Sequence, residues 1–345
     1  MSLYARGMRS CALVLALGVG ACNADPPPPP RPRPGAITPA APAPPACTAH
    51  EHVCRGDELV ECGADGAFGA TLQVCKDGCR NGACADACAA QGVELVYVLT
   101  EDSQLLSFDP QKLPGDPFHR IGAPACGLSS PNSMAVDHSG IAWVVDHQRG
   151  LYRVSIVDAH CSPAGSPSGT AVPSTFGMGF ASDGKRTPGA TAETLYVASD
   201  ETSGEQPSVL GRLDTTVTPA AYTAIAPISA RGKWNPEFSG TGAGDLFGYF
   251  PLKERGGFIQ EVDRATGQAR GPRWPVPSDS EITAWAFAQW GGVFYVFATT
   301  SDGNSQVHAI HRKSGEHALV REHLPYKIIG AGVSTCAPEL ERAAP

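Results

Sequence analysis

The chain has 345 residues and a formal net charge of −8, which argues against a nucleic-acid-binding protein, whose affinity rests on excess positive charge. Only 17% of its residues are charged, while it holds 39 glycines and 31 prolines. That mix excludes a long-helix or coiled-coil protein and suits turn-rich β structure.

The first ten residues carry Arg6 and Arg9 and no acid, and residues 11–19, CALVLALGV, form a short apolar run. A basic segment followed by such a run reads as an export signal; a membrane-spanning helix needs roughly 20 apolar residues. The next residues, Val19-Gly20-Ala21-Cys22, resemble the lipobox of bacterial lipoproteins. That resemblance implies cleavage before Cys22, lipidation of its thiol and amine, and retention on a membrane, since two or three acyl chains anchor stably. Asn23 follows rather than Asp, which by the same resemblance favours the outer membrane. An ordinary signal peptide cut at a nearby small-residue site is the alternative. Residues 26–46, PPPPPRPRPGAITPAAPAPPA, lack the amide hydrogens that a helix or a central strand needs. As extended polyproline II this segment reaches on the order of 65 Å at most and reads as a stalk.

Twelve cysteines are present. With Cys11 in the signal and Cys22 lipidated, ten remain, an even number in an exported chain, which points to disulfides. Seven of the ten lie between Cys47 and Cys88, a stretch with few large apolar residues that needs covalent staples in place of a core. A zinc site built from Cys75, Cys79, Cys84 and Cys88 is the rival, but their spacing lacks the paired C-x2-C knuckles of structural zinc. An odd number of cysteines requires one pairing outside the module. Cys47, Cys54, Cys62, Cys75, Cys79 and Cys84 are expected to pair among themselves in one of 15 ways. Cys88 is expected to bond Cys336 near the other end of the chain, and Cys126 to bond Cys161.

From residue 93 onward the chain repeats. Apolar strands centred on Val96, Trp143, Leu195, Leu246 and Phe294 recur at steps of 47, 52, 51 and 48 residues. Each is followed by a second strand (LLSFDP, LYRVSIVD, LGRLD, FIQEVD, VHAIHR), and four are preceded by a strand of small residues (SMAVD, GMGFAS, EFSGTG, WAFAQ). A period near 50 with three or four short strands per unit is the pattern of β-propeller blades. The first unit lacks its small-residue strand, and IIGAGVST at 328–335 supplies one. The expectation is an all-β chain whose five-bladed propeller is closed by the C-terminal strand, preceded by a small disulfide-rich module. The boundaries follow: signal 1–21, proline-rich linker 22–46, cysteine-rich module 47–88, propeller 89–338, tail 339–345. Large residues expected between blades are Tyr97, Phe108, Trp143, Tyr152, Phe180, Tyr196, Phe247, Phe294 and Tyr295. Phrases such as SMAVDHSGIAWV, FGMGFASD, AETLYVAS, AWAFAQWGG and GAGVSTCAP resemble uncharacterised exported propeller proteins of myxobacterial type. The resemblance covers most of 93–338 and implies a fold and an export route but no established reaction.

Propeller sites usually occupy the tunnel mouth, where loops lead into the inner strands. Here those loops carry Asn132, Trp234, Asn235, Glu237 and Glu281, with Trp285 at a strand start. SPNSMAVD resembles the Asn-bearing loops of calcium-dependent gluconolactonase-like propellers, which implies calcium held by Asn132, Asn235, Glu237 and Glu281; calcium takes 6–8 oxygens. Glu237 and Glu281 also form a candidate carboxyl pair for glycoside hydrolysis, which needs a separation of roughly 5–10 Å. Asp137, His138, Asp146 and His147 read as turn and solvated residues, and ASDGK and TSDGN as hairpin turns rather than calcium loops. No nucleophile-elbow, P-loop or H-E-x-x-H motif occurs. The reading is a monomeric, lipid-anchored protein of the cell envelope whose propeller binds a glycan, peptide or protein partner without a cofactor. The alternatives are a metal-assisted hydrolase acting at the tunnel mouth and a purely structural envelope component.

Overall fold

The computed structural model describes residues 47–56, 58–75, 79–80, 83–84, 88, 90–183, 193–199, 207–232, 235–252 and 256–339. The expected signal, Cys22, the proline-rich linker and residues 340–345 lie outside them, as does Trp234.

The cysteine-rich stretch forms a three-stranded antiparallel sheet of β1 (His52–Arg55), β2 (Glu58–Cys62) and β3 (Phe68–Val74), and a two-stranded one of β4 (Cys79–Arg80) and β5 (Ala83–Cys84). Its buried apolar side chains are Val60, Cys62 and Cys75, while Phe68, Leu72 and Val74 on β3 are exposed. Disulfides Cys47–Cys62 and Cys54–Cys79 cross it, and Cys75 is also disulfide-bonded. With Cys79 and Cys75 so engaged, and Cys88 bonded to Cys336, the zinc reading fails. The Cys84 side chain lies outside what is described.

The remaining strands build five four-stranded antiparallel sheets. Sheet I holds β9 (Pro131–Val136), β10 (Ile141–Asp146), β11 (Leu151–Ser155) and β12 (Cys161–Gly165). Sheet II holds β13 (Phe176–Ser182), β14 (Glu193–Ser199), β15 (Val209–Asp214) and β16 (Ala221–Pro227). Sheet III holds β17 (Glu237–Gly240), β18 (Leu246–Pro251), β19 (Gly257–Val262) and β20 (Ala269–Val276). Sheet IV holds β21 (Ile282–Trp290), β22 (Val293–Thr300), β23 (Ser305–His311) and β24 (His317–Arg321). Sheet V is made from both ends of the repeat: β25 (Ile328–Val333) pairs with β6 (Val96–Thr100), which leads on to β7 (Leu105–Phe108) and β8 (Phe118–Gly122). The register runs from Ile328 opposite Thr100 to Val333 opposite Val96, so IIGAGVST lies beside ELVYVLT.

The first strands of sheets I–IV and β25 of sheet V lie side by side in a closed cycle, β9 against β13, β17, β21 and β25 in turn, with β25 back against β9. Small residues permit this approach. A Cβ on Gly179 of β13 would come 2.7 Å from the carbonyl carbon of Phe238 on β17, and one on Gly332 of β25 would come 2.8 Å from the Val136 nitrogen on β9. The second strands, such as IAWVVD and VFYVFATT, are buried at nearly every position because both faces pack on neighbouring sheets. Five apolar clusters fill the gaps between consecutive sheets, V/I, I/II, II/III, III/IV and IV/V. Between III and IV, Phe247 meets Phe294 with ring centroids 5.0 Å apart; between IV and V, Phe108 sits 5.2 Å from Tyr295. This radial arrangement of antiparallel sheets about an axis is that of a β-propeller. The large residues expected between sheets all pack there; Tyr152 does so only half-buried, against the V/I cluster, with its hydroxyl donating to Asp146 Oδ2 at 3.1 Å. Disulfide Cys126–Cys161 ties the loop before β9 to β12.

Candidate functional site at the axial mouth

The inner strands begin at one end of the ring, and their first residues surround a cavity of about 420 Å3. Asn132 and Pro131 come from β9, Glu237 from the first position of β17 and Asn235 from just before it, Thr283, Ala284 and Trp285 from β21, and Ile329 from β25. Ser130, His147, Glu101 and Lys327 complete the lining. Asn132, Asn235, Glu237 and Trp285 are therefore brought together. Glu281 is not: its side chain is exposed outside the lining and its carbonyl accepts from the Ser301 amide, which removes it from both the calcium set and the carboxyl pair. Trp234 lies outside the described residues.

Glu237 is 1% exposed and forms the floor. Ser133 Oγ donates to its Oε2 at 2.7 Å, reaching from β9 past β13 to β17, and the Met178 amide of β13 also bonds it. One carboxyl thus joins three inner strands. Burial pushes its pKa well above the usual carboxylate range, against the opposing effect of the Ser133 and Met178 hydrogen bonds, so the site favours the protonated form more than water does.

Above it, Asn132 Nδ2 donates to the Phe176 carbonyl at 3.3 Å, which fixes the amide plane and leaves Oδ1 toward other partners. Trp285 Nε1 donates to the Asn235 carbonyl at 3.2 Å, setting the indole at the rim. The Asn235 side-chain amide makes no hydrogen bond among the described residues. Glu101 and Lys327 pair at 2.7 Å, following from the pairing of β6 with β25 that places the end of one beside the start of the other.

The arrangement does not fit calcium. The acid at the floor is buried and already engaged by Ser133 and Met178, and Glu281 is elsewhere. Among the described residues no group of three His, Cys, Asp or Glu side chains converges. At the other end of the inner strands, Asp137 serves its turn by accepting from the Ser139 and Ile141 amides and from Trp143 Nε1; Asp146, opposite Pro131 at the mouth end, accepts from the Gln148 and Gly150 amides of its own turn. His138 is not simply solvated: Glu193, buried, takes its Nδ1 and its amide at 2.7 and 2.8 Å and accepts from Thr335 Oγ1 at 2.7 Å. That carboxylate joins sheets I and II to the segment after β25. In TSDGN, Asp302 accepts from Thr300 Oγ1 and the Asn304 amide as a hairpin turn does.

No family model and no curated protein matches the chain. Solved structures similar in outline include a mitotic checkpoint complex, at 9% identity over 65% of this chain and 60% of that one with a TM-score of 0.31. The tricorn protease overlaps at 12% identity over 67% of this chain and 26% of that one, TM-score 0.30. The Dos1 propeller does so at 10% identity over 71% of each, TM-score 0.34. This chain spans less than two thirds of the first two. The architecture described above rests on the strand pairing itself.

Proposed function

We propose that the ring is a complete five-bladed propeller acting as a non-catalytic binding module of the cell envelope, held on the outer membrane through a lipidated Cys22 and a polyproline stalk. The closed cycle of inner strands and the five inter-sheet clusters support the blade count. The lipobox-like residues support the anchor, and the disulfides agree with an oxidising compartment outside the cytoplasm. One observation carries the binding role: Asn132, Asn235, Glu237 and Trp285, distant in sequence, converge on an open cavity at the axial mouth. Mostly preformed concavities with a few placed polar groups and an aromatic are the common form of binding sites. Catalysis is disfavoured because the buried acid is held by Ser133 and Met178 and the rim carboxylate Glu101 is paired with Lys327.

Two measurements test this. Glycan and peptide arrays probed with the full chain are expected to yield a ligand whose capture falls in Trp285→Ala; turnover of lactones or aryl glycosides by the same protein overturns the non-catalytic reading. For the anchor, Cys22→Ser is expected to move the protein from the membrane to the soluble fraction on cell fractionation.

A further inference from the structure

Resting on the axial-mouth reading, we infer that the ligand is a neutral saccharide unit, seated with a C–H face on Trp285 and its hydroxyls on Asn235 and Asn132. Three features of the cavity lead there. First, its lining presents little accessible charge to attract an ion: Glu101 and Lys327 neutralise one another at 2.7 Å, and the floor carboxyl of Glu237 is 1% exposed and engaged by Ser133 and Met178. An anionic or cationic ligand gains little Coulomb energy here and loses its hydration.

Second, the unfilled hydrogen-bonding capacity is of mixed sign on single side chains. The Asn235 amide is unengaged, with two donor hydrogens and an acceptor oxygen, and Asn132 keeps its acceptor after its amide nitrogen is spent on the Phe176 carbonyl. A ligand that donates and accepts from the same atom satisfies such groups, and a hydroxyl does so. Third, the half-buried indole of Trp285 contributes to the lining, as do the apolar Pro131 and Ile329, which matches the one apolar feature of a pyranose, its face of axial C–H bonds. A volume of about 420 Å3 lies within the ordinary range of small-ligand sites, roughly 300–1,000 Å3, and admits a mono- or disaccharide rather than a folded partner.

The test uses the full chain in a zwitterionic, sugar-free detergent, with saturation-transfer NMR and indole fluorescence as readouts. The probes are methyl glucoside, N-acetylglucosamine and their β-linked dimers, against glucuronic acid and a trialanine peptide. At least one neutral sugar is expected to bind, at least tenfold more weakly to Trp285→Ala and to Asn235→Ala, and unchanged to Glu281→Ala, whose side chain lies outside the cavity. Asn235→Ala keeps the test valid if Trp285→Ala fails to fold, because that side chain makes no described contact that the fold requires. Binding of glucuronate or trialanine instead, still lost in both variants, overturns the ligand class and leaves the axial mouth as the site. Sugar binding insensitive to both variants overturns the placement, and no binding by any probe overturns the inference.

Discussion

The two described regions solve the same problem by opposite means. In the cysteine-rich sheet, Phe68 is 42% exposed and β3 lays Leu72 and Val74 on the surface as well; order there comes from Cys47–Cys62 and Cys54–Cys79. In the ring, Phe247 is fully buried against Phe294 and Trp274, and sheets II, III and IV carry no described disulfide. A short stretch lacks the volume to offset its chain entropy by burial, so crosslinks restrict the unfolded chain instead; five stacked sheets have that volume. Cys88–Cys336 is where the strategies meet, since it bonds the end of the small region to the segment after β25.

The largest effect expected from breaking this division is at that crosslink. It closes a loop with a sequence separation of 248 residues, and Cys88→Ser with Cys336→Ser is expected to cost roughly 5 kcal/mol in the chain-entropy account, read from denaturant midpoints. Within the ring, Phe247→Ala is expected to cost about 4 kcal/mol through the cavity it leaves. That loss persists under reducing conditions, whereas hydrogen-exchange protection of β1–β3 is lost on reduction; equal reductant sensitivity of both regions would refute the contrast.

A third test is acid. His308 of β23 is buried, with Nδ1 2.9 Å from His317 Nε2 of β24. Burial, and then the neighbouring His317, push its pKa down to about 4. The folded state therefore binds fewer protons than the unfolded one between about pH 4 and the unperturbed value of about 6.5. Stability is complete above pH 6.5 and falls by on the order of 2–3 kcal/mol as pH drops to 4, and His308→Gln flattens that slope in thermal melts. Glu237 acts with the opposite sign. Its raised pKa makes the folded state hold a proton that the unfolded chain releases above about 4.3, so Glu237→Gln gains stability over the parent increasingly as pH rises. The smallest effect is expected at the exposed strand: Phe68→Ser shifts stability by less than about 0.5 kcal/mol, although the residue type is the one that matters most in the ring.

Much of the ring was legible in the chain because its two innermost strand types carry opposite and recurrent compositions. The second strands are unbroken apolar runs, and the first strands are dense in Gly, Ala and Ser where backbones nearly touch. The outermost strands, such as CSPAG of β12 and ARGPRWPV of β20, were not legible. They have one solvated face and carry proline, which an edge strand tolerates, so neither period nor propensity marks them. Of the site, Asn132, Asn235, Glu237 and Trp285 were legible because they lie at or just before the inner strands. Glu101 and Lys327 look like ordinary surface charges until β6 and β25 are paired. Ser133, the residue that holds the floor acid, hides among the small residues of an inner strand. Glu281 was misplaced because the strand it precedes begins at Ile282, and from that position its side chain turns to solvent.

The union of β25 with β6 also makes ring closure depend on a distant segment. β6 precedes its partner by about 230 residues, so during folding sheet V keeps a bare backbone edge at the axis until β25 docks. A chain cut before β25 would carry four finished sheets and one permanently open edge, a template for pairing with another copy. Closure of the ring therefore hangs on one strand, whose loss turns the axis into an adhesive edge.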